Sequence, residues 1–523
     1  MRLVNTEGMR RLEETCVAAG GSVPLLMERA GRAVAEAVRR GLGGVVAGRR
    51  VVALVGPGNN GGDGLVAGRW LHDWGARLSV VLCGTRPDQD PHLQEIVSRR
   101  VAVQRADDLT EAATEALLAG ADVALDALLG TGRARPIAHP MNGLLAVLRH
   151  EQERRPSMRV LAVDVPSGLD ADTGAVDPAT PWCDVTVTLG SPKVGLVCFP
   201  GAARVGRLEL ADIGLVPQAD GEPGAELLEP RWVAQRLPLR PVDGHKGTFG
   251  RVLVVGGSSH YRGAPALAAL AALRTGAGLA SVACPSSICS SVASEAAEVT
   301  FLPLAERDGA LCGAAATAAG QALARYNAVA LGCGLSQEGE AGEFLERLLA
   351  SLPPSTSLVV DADGLNLLSG WPDWWERLPR PAVLTPHSGE MARLLGTSPG
   401  HVERDRLATA ADAASRWGHV VVLKGAHTTI AGPEGGLLVS PFKNAALATP
   451  GSGDVLAGCI ASLMAQGLGP LDAAACGVYL HGMAGGLWAA ERGGAGLLAS
   501  ELAALLPRGR ERIIEDGEGK VRR

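Results

Sequence analysis

The chain has 523 residues, which is more than one hydrophobic core usually serves, so two α/β domains are expected. Apolar residues make up 47% and charged residues 20% of the chain, an ordinary globular composition. The net charge of -6 argues against a nucleic-acid-binding protein, which would normally present a basic face.

The first residues mix charges from the outset and include no apolar stretch of signal-peptide length. Short β-branched runs then alternate with Ala- and Leu-rich helical patterns, which predicts βα units and a largely parallel sheet. A helix is predicted over 22–41, where apolar residues recur at helical spacing after a Ser and a Pro. The strands predicted for the first half are 50–55, 78–83, 122–128, 159–164 and 185–189.

Residues 216–230 are polar and rich in Pro and Gly, which is typical of a linker between two domains. We expect domains over 1–220 and 221–523. The Ala-rich stretch 311–325 is interpreted as a helix, and the charged tail 508–523 is expected to fray. The strands predicted for the second half are 250–256, 279–283, 326–331, 357–361, 381–385 and 420–424.

Ten cysteines are scattered along the chain without any CxxC pair, which favours buried thiols in a reducing cytoplasm over a zinc site. No run approaches the roughly 18 uninterrupted apolar residues of a membrane span. The sequence therefore predicts a cytoplasmic protein that works without membrane or nucleic-acid partners.

The segment Val55–Gly64, VGPGNNGGDG, lies between a predicted strand and a helix and contains five glycines. These glycines give the backbone conformational freedom, and a helix N-terminus at this place can face a phosphate or diphosphate. Three further polar segments follow predicted parallel strands, where open α/β sheets bind ligands. They are DALLGTG at 126–132, DVPSG at 164–168 and SPK at 191–193.

These four segments, in this order, resemble the NAD(P)H-hydrate epimerase family over roughly residues 1–215. The resemblance implies a Rossmann-like three-layer fold and a nicotinamide cofactor hydrated at C6 as the substrate. It implies a potassium ion on Asn60, Asp126 and Ser167, with Asp164 as the catalytic acid or base. The implied substrate-binding residues are Asn59, Asn60, Gly61, Gly62, Asp63, Gly130, Thr131, Gly132, Arg133, Ala134, Arg135, Pro136, Asp164 and Lys193.

Inversion at C6 needs proton transfer to the hydroxyl and a stabilised cationic ring, so a carboxylate near C6 suits the chemistry. Amide, carboxylate and hydroxyl oxygens are hard ligands, as an alkali cation requires by analogy with other hard cations. The role of Lys193 stays open between orienting Asp164 and binding the diphosphate.

The second half contains two loops that suit nucleotide phosphates. KGAHT at 424–428 follows an apolar strand, and TPGSGDVLAG at 449–458 opens a helix. Such a helix start aims N–H groups at a phosphoryl oxygen and places one carboxylate near a substrate hydroxyl. DADGLN at 361–366, LTPHSGE at 384–390 and HKGTFG at 245–250 also follow or precede strands.

Together these motifs resemble the NAD(P)H-hydrate dehydratase branch of the ribokinase-like superfamily over about residues 228–510. The resemblance implies an α/β/α domain that binds ADP or ATP with Mg²⁺ and forms homo-oligomers. Asp454 would be the catalytic base, and Asp363 and Glu390 are weaker candidates for magnesium. The implied substrate contacts are Ala264, Gly334, His387 and Asp454, and the nucleotide contacts are Lys424, Gly425, Ala426, His427, Thr428 and Gly453.

The expected reaction is repair of NADH hydrate and NADPH hydrate. The R and S forms are epimerised, and the S form is phosphorylated and loses phosphate to give NAD(P)H with AMP or ADP. Two alternatives stay open at this point. One is a kinase of a small alcohol such as a thiazole or pyridoxine-like ring, and the other makes the N-terminal half a binding module without activity.

Overall fold

The computed structural model describes residues 1–87, 89–132, 136–215 and 224–517. It divides into two compact units, Met1–Gly224 and Ala225–Arg523. In the described part of the chain, no helix combines the length and the apolarity that crossing a membrane requires.

The N-terminal unit contains a seven-stranded, fully parallel sheet with the order β3-β2-β1-β4-β5-β6-β7. Its first six positions have the strand order of the doubly wound Rossmann fold. The strands are β1 (Arg50–Val55), β2 (Arg77–Leu82), β3 (Ala102–Arg105), β4 (Val123–Ala127), β5 (Arg159–Val163), β6 (Val185–Leu189) and β7 (Arg207–Ala211). The helices are α1 (Thr6–Ala18), α2 (Val23–Gly41), α3 (Asn59–Asp73), α4 (Pro91–Ser98), α5 (Glu111–Ala119) and α6 (Met141–Arg154).

Strand β1 shows why this unit has three layers. Val51, Ala53 and Val55 point into the core beneath α2 and α3, whereas Val52 and Leu54 point into the core beneath α5 and α6. Successive side chains of a strand face opposite sides, so a strand that is apolar throughout must be covered on both faces. The predicted Rossmann-like three-layer fold is therefore confirmed.

The C-terminal unit is built on a ten-stranded sheet with the order β11-β10-β9-β14-β15-β16-β17-β18-β19-β8. The pairs from β11 to β17 are parallel, and β18 is antiparallel to both of its neighbours. The strands are β8 (Ala225–Leu227), β9 (Arg251–Val255), β10 (Leu279–Pro285), β11 (Thr300–Leu304), β12 (Glu306–Arg307), β13 (Ala310–Leu311), β14 (Ala328–Leu331), β15 (Ser357–Val360), β16 (Val383–Leu384), β17 (Val420–Leu423), β18 (Thr429–Ala431) and β19 (Leu437–Val439).

Twelve helices of this unit are described, and those that flank the sheet cover both of its faces. Val252 and Val254 of β9 join a core with α8, α16, α17 and α18, while Leu253 and Val255 join a core with α10, α11, α13 and α15. The α/β/α prediction is confirmed. The helices are α7 (Pro230–Ala234), α8 (Gly263–Thr275), α9 (Cys289–Glu295), α10 (Ala315–Leu323), α11 (Ala341–Ala350), α12 (Asp363–Leu368), α13 (Ser388–Leu395), α14 (Pro399–Arg404), α15 (Arg406–Trp417), α16 (Ser452–Ala465), α17 (Pro470–Arg492) and α18 (Ala499–Gly517).

Two of the sequence-based expectations about segments are wrong. The tail does not fray at 508, because α18 continues to Gly517 and buries Ile513 against the core. The expected linker 216–230 already contains β8 and the first residue of α7, while its residues 216–223 lie outside the described part. Leu227 is buried in β8, which pairs with β19. The polar residues around this short edge strand concealed it in the sequence.

Candidate functional site

The Gly-rich segment lies at the point where the strand order of the N-terminal sheet reverses. Strand β1 pairs with β2 on one side and β4 on the other, so the loops after β1 and β4 diverge and leave a crevice. Helix α3 begins at Asn59, directly after the loop that leaves β1. The two segments predicted to bind substrate are thus brought together by topology.

The glycines of this segment serve close packing and not unusual dihedral angles. None of the five between Gly56 and Gly64 has a positive φ, contrary to the conformational freedom expected from the sequence. A Cβ on Gly56 would lie 1.8 Å from the carbonyl oxygen of Leu128, and one on Gly64 would lie 2.4 Å from Cβ of Ala127. The glycines therefore let the loop and α3 approach the end of β4.

Asn60 and Ser167 both bind the backbone of Leu129, and Ser167 also binds Asp126. The Nδ2 of Asn60 donates to the carbonyl of Leu129 at 3.0 Å, and Ser167 Oγ accepts from the Leu129 amide at 2.9 Å. Ser167 donates to Asp126 from both Oγ, at 2.5 Å, and its amide, at 2.8 Å. Burial raises the pKa of Asp126, and these hydrogen bonds oppose that rise.

Asp164 and Lys193 form a charged pair beside the crevice. Asp164 follows β5 in the left-handed region, with φ of 67°, and its carboxylate accepts a hydrogen bond from the ammonium of Lys193. The Lys193 side chain is fully buried. Its ammonium also donates to the carbonyl of Leu189 at 3.0 Å. Lys193 therefore holds Asp164. Because its side chain is buried, Lys193 cannot bind a diphosphate directly.

The crevice contains a cavity of about 470 Å³. Asp63 and Asp164 lie in its wall, and so do Asn59, Asn60, Gly130, Thr131 and Gly132, which are all predicted to bind substrate. Burial raises the pKa of Asp63 well above its usual range, and the negative charges of Asp164 and Glu13 raise it further.

Some predicted residues of this site lie elsewhere. Gly61 and Gly62 are not among the residues that line the cavity, since they face Gly56 and Met27 respectively. Pro136 is exposed and Lys193 is buried behind Asp164, and neither lines the cavity. Arg133, Ala134 and Arg135 lie outside the described residues.

Sequence reasoning missed two contributors to this site. Helix α1 supplies Glu13 to the cavity wall, and the helix is anchored because Val4 exchanges backbone hydrogen bonds with Pro192 and Val194. Arg86 donates to the carbonyls of Gly56 and Gly58 at 2.7 and 2.9 Å and so fixes the Gly-rich loop. Glu13 precedes the first predicted strand, and Arg86 lies in the loop after the predicted strand 78–83 without a motif that marks it as a site residue.

In the C-terminal unit, four parallel strands bring their polar ends together. Lys424, after β17, pairs with Asp361, after β15, at 2.5 Å, and lies 3.7 Å from Glu390. Burial lowers the pKa of Lys424, but the negative charges of Asp361 and Glu390 have the larger effect, so its pKa is raised. Glu390 also accepts from the amide of His387 at 2.8 Å, within a capping box that starts α13 after β16.

Asp454 lies in the first turn of α16, against the end of β14. Ligand atoms of Cys333, Asp361 and Asp454 all lie within 4.8 Å of one another. Burial raises the pKa of Asp454 to about 7, the charge of Asp361 adds to this rise, and a hydrogen bond from Cys333 opposes it. A Cβ on Gly453 would lie 3.3 Å from the Lys424 ammonium, so this glycine keeps the helix start open beside the ion pair.

The remaining predicted residues of this unit fall into two groups. Gly334, with φ of 65°, lies against Ala264 and Tyr261, so the predicted contacts Ala264 and Gly334 are neighbours near Asp454. Gly425 and Ala426 are exposed beside Lys424, as a nucleotide site requires. The His427 ring instead turns inward, where its Nδ1 lies 2.9 Å from the carbonyl of Ser440.

Asp363 helps to hold the loop after β14. One of its oxygens accepts from the Ser336 amide and the other from Gln337, both at 2.9 Å. Its role towards magnesium stays a prediction. His387 is half-exposed, and its Nδ1 accepts from two amides of α13 and caps that helix.

The fold and the sites define an α/β enzyme with two separate centres, one at a Rossmann-type switch point and one at a GSGD helix start. Residues 24–195 match the family model described as YjeF-related protein N-terminus. Residues 252–508 match the model described as NAD(P)H-hydrate dehydratase.

Curated relatives cover both units. The bifunctional NAD(P)H-hydrate repair enzyme Nnr of Moorella thermoacetica is 41% identical over 494 residues, covering 92% of this chain and 91% of the relative. The enzyme of the same name from Salinibacter ruber is 37% identical and covers 95% and 93%. This chain belongs to the family of bifunctional NAD(P)H-hydrate repair enzymes, and the family predicted from its motifs is confirmed.

Among solved structures, the ADP/ATP-dependent NAD(P)H-hydrate dehydratase of Bacillus subtilis, co-crystallised with ATP and Mg²⁺, is 30% identical. The match covers 55% of this chain and 98% of that chain, with a TM-score of 0.48.

Proposed function

We propose that the N-terminal domain, expected over 1–220, interconverts the R and S hydrates of NADH and NADPH. The C-terminal domain, expected over 221–523, dehydrates the S hydrate with ADP or ATP, and it uses the Mg²⁺ that accompanies the nucleotide. The observation that supports this most directly is the coexistence of two carboxylate centres, around Asp164 and around Asp454, in one chain of this family.

In the dehydratase, Asp454 takes the proton of the C6 hydroxyl, and the hydroxyl oxygen bonds to the terminal phosphorus of the nucleotide. The bond to the leaving phosphate oxygen breaks, which releases AMP from ADP or ADP from ATP. The first amides of α16 stabilise charge on the transferred phosphoryl group. The lone pair of N1 then expels phosphate from C6, and loss of a proton from C5 gives NAD(P)H.

The nucleotide would lie over Gly425, Ala426 and Gly453, which flank the Lys424 ammonium. The substrate ring would lie towards Ala264 and Gly334, next to Asp454. The exposed positions of Gly425 and Ala426 and the close approach of Gly453 to Lys424 support this division.

A potassium ion fits Asn60, Asp126 and Ser167. The Oδ1 of Asn60 is buried and accepts no hydrogen bond in the described part of the chain, and Asp126 is fully buried without a cationic partner there. Both groups supply the hard oxygens that an alkali cation prefers. When bound, the cation would offset the buried charge of Asp126 and fix the loop at Leu129 under the substrate.

The test follows absorbance at the NADH band for separated R and S hydrates, with ADP, ATP or no nucleotide. The proposal expects recovery of both hydrates that depends on a nucleotide. It also expects Asp164→Asn to slow repair of the R hydrate while repair of the S hydrate continues. No recovery with either nucleotide would instead favour a kinase of a small alcohol.

A further inference from the structure

The epimerase cavity contains more acid than one catalytic carboxylate explains. Glu13 from α1, Asp63 from α3 and Asp164 after β5 all line the same 470 Å³ space. Lys193 is the buried cation of this group, and it is bound to Asp164. Three carboxyl groups therefore lie near one ammonium. Lys193 neutralises the charge of Asp164 and leaves Glu13 and Asp63 without an ion-pair partner in this group.

The hydrogen bonds of Asp164 leave one of its oxygens for the substrate. Lys193, the Leu189 amide at 2.9 Å and the Thr188 hydroxyl at 3.4 Å all donate to Oδ1. Among the described residues, no hydrogen bond reaches Oδ2. Because Asp164 lines the cavity and its Oδ1 is taken by these donors, Oδ2 is the oxygen left to accept a proton.

Asp63 has the opposite surroundings. It is only 8% exposed, and in the described part of the chain no donor or cation bonds its carboxyl group. The nearby guanidinium of Arg86 is bound to two loop carbonyls and to Asp90, at 2.5 Å. A buried carboxyl group without a partner is most stable when protonated. Glu13, by contrast, is exposed to solvent at its edge of the cavity.

We propose that Asp63 and Asp164 are the acid–base pair of the epimerase, which act on opposite faces of the hydrated nicotinamide ring. Asp63 is the proton donor to the C6 hydroxyl of one epimer, and Oδ2 of Asp164 is the acceptor for the water that adds to the other face. This inference rests on the proposed epimerase function and assigns a catalytic role to Asp63 beyond substrate binding.

The proposed step conserves atoms and charge. Asp63 gives its proton to the C6 hydroxyl, the C6–O bond breaks with its electron pair, and water leaves. The lone pair of N1 forms a C6=N1 iminium ion, which the two carboxylates stabilise. Water then bonds to the opposite face and gives its proton to Asp164, and the reverse reaction starts from that proton arrangement.

The charges around the pair agree with these roles. Burial, then the charges of Asp164 and Glu13, raise the pKa of Asp63, whereas Lys193 and Arg86 lower it and burial prevails. Among the described residues, Asp63 is buried without a cation and Asp164 is bound to Lys193, and such contrasting surroundings are those from which acid and base roles are assigned.

The test measures epimerisation of purified hydrates by the full-length chain in H₂¹⁸O, for the wild type, Asp63→Asn, Glu13→Gln and Asp73→Asn. Asp73→Asn is the matched control, because it makes the same chemical change at the exposed C-terminal end of α3. Nucleotide-dependent dehydration of the S hydrate in the same preparations reports whether each variant remains folded.

We expect Asp63→Asn to slow epimerisation by about a hundredfold or more, the usual effect of losing a general acid. Each inversion by the wild type should introduce one ¹⁸O at C6. The wild-type rate should fall at high pH as Asp63 loses its proton, and this fall should be absent from the residual rate of Asp63→Asn. Glu13, Asp164, Lys193 and Arg86 are the other titratable groups that face Asp63.

Three outcomes overturn the inference. An unchanged rate in Asp63→Asn, with an active wild type, would show that Asp63 is not the acid and would leave the proposed epimerase function intact. A large loss in Glu13→Gln without one in Asp63→Asn makes Glu13 the acid. Inversion without ¹⁸O uptake excludes departure of water from C6. A wild type that does not interconvert the hydrates instead overturns the proposed epimerase function together with this inference.

Discussion

The two sites use the same electrostatic device at the ends of parallel strands. In the N-terminal unit Lys193 pairs with Asp164, and in the C-terminal unit Lys424 pairs with Asp361. Each lysine follows a strand and holds one carboxylate in an ion pair. The burial differs, since the Lys193 side chain is fully buried and that of Lys424 is 18% exposed.

Each pair lies near an aspartate whose pKa is raised. Burial raises the pKa of Asp63 well above its usual range and that of Asp454 to about 7. A carboxyl group that keeps its proton suits a proton donor, and a carboxyl group with a pKa near 7 can lose its proton and act as a base. The comparison teaches that similar ion pairs can support opposite proton transfers.

The largest expected effect separates the two sites. Asp454→Asn removes the base and should slow dehydration about a thousandfold, within the range typical of general base catalysis. Interconversion of the hydrates should continue, because that chemistry belongs to the other unit. Chromatographic separation of the R and S forms, beside NADH absorbance, measures both activities. Loss of both in a folded variant would contradict the separation.

The next effect concerns the buried pair of the N-terminal unit. Lys193→Met leaves Asp164 without its cation and should lower the free energy of unfolding of this unit by about 3 kcal/mol. Hydrogen exchange of the β5 and β6 amides measures the change. In the double variant with Asp164→Asn, part of the stability should return, since no buried charge is left unpaired. A double variant less stable than Lys193→Met would contradict this account.

The pH dependence of dehydration tests the raised pKa of Asp454. Because the protonated group cannot act as a base, the rate should rise about tenfold per pH unit below about pH 7 and level off above it. In Asp361→Asn the rise should move to lower pH, because a negative charge that raises the pKa of Asp454 is removed. A shift towards higher pH would show that Asp361 does not act on Asp454 in this way.

The smallest effect concerns Cys333, whose thiol lies beside Asp361 and Asp454. Its hydrogen bond lowers the pKa of Asp454, so Cys333→Ala should move the pH profile of dehydration upward. The shift should be opposite in sign to that of Asp361→Asn, and Cys333→Ser, which keeps a donor, should show less of it. An unchanged profile in Cys333→Ala would place the thiol outside the catalytic group.

Much of the fold was predictable because its signals are local. The apolar run at β1 and the Ser22 cap of α2 agree with the strand predicted at 50–55 and the helix predicted over 22–41. The edge strands β3 and β7 and the short strands β18 and β19 were missed. Edge strands such as β3, whose residues are mostly exposed, lack the continuous apolar run of a central strand.

The candidate sites were predictable where a motif lies at the end of a strand, as it does for Asp164, Asp361 and Lys424. Parallel strands place such residues at one edge of the sheet, so sequence order alone implies proximity. Glu13 reaches the first site from a helix and Arg86 from the loop after β2, and no motif indicates either of them. The inward orientation of the His427 ring also depends on a distant carbonyl, that of Ser440.

The sequence by itself determined the two domains, the strand-end motifs and the family, because strand and turn preferences and motif order are written along the chain. Only the tertiary structure decided that Lys193 holds Asp164, that Asp363 binds the Ser336 amide and that Asp63 is buried without a cation. Ionisation depends on burial and on charges from distant segments, which folding alone brings together.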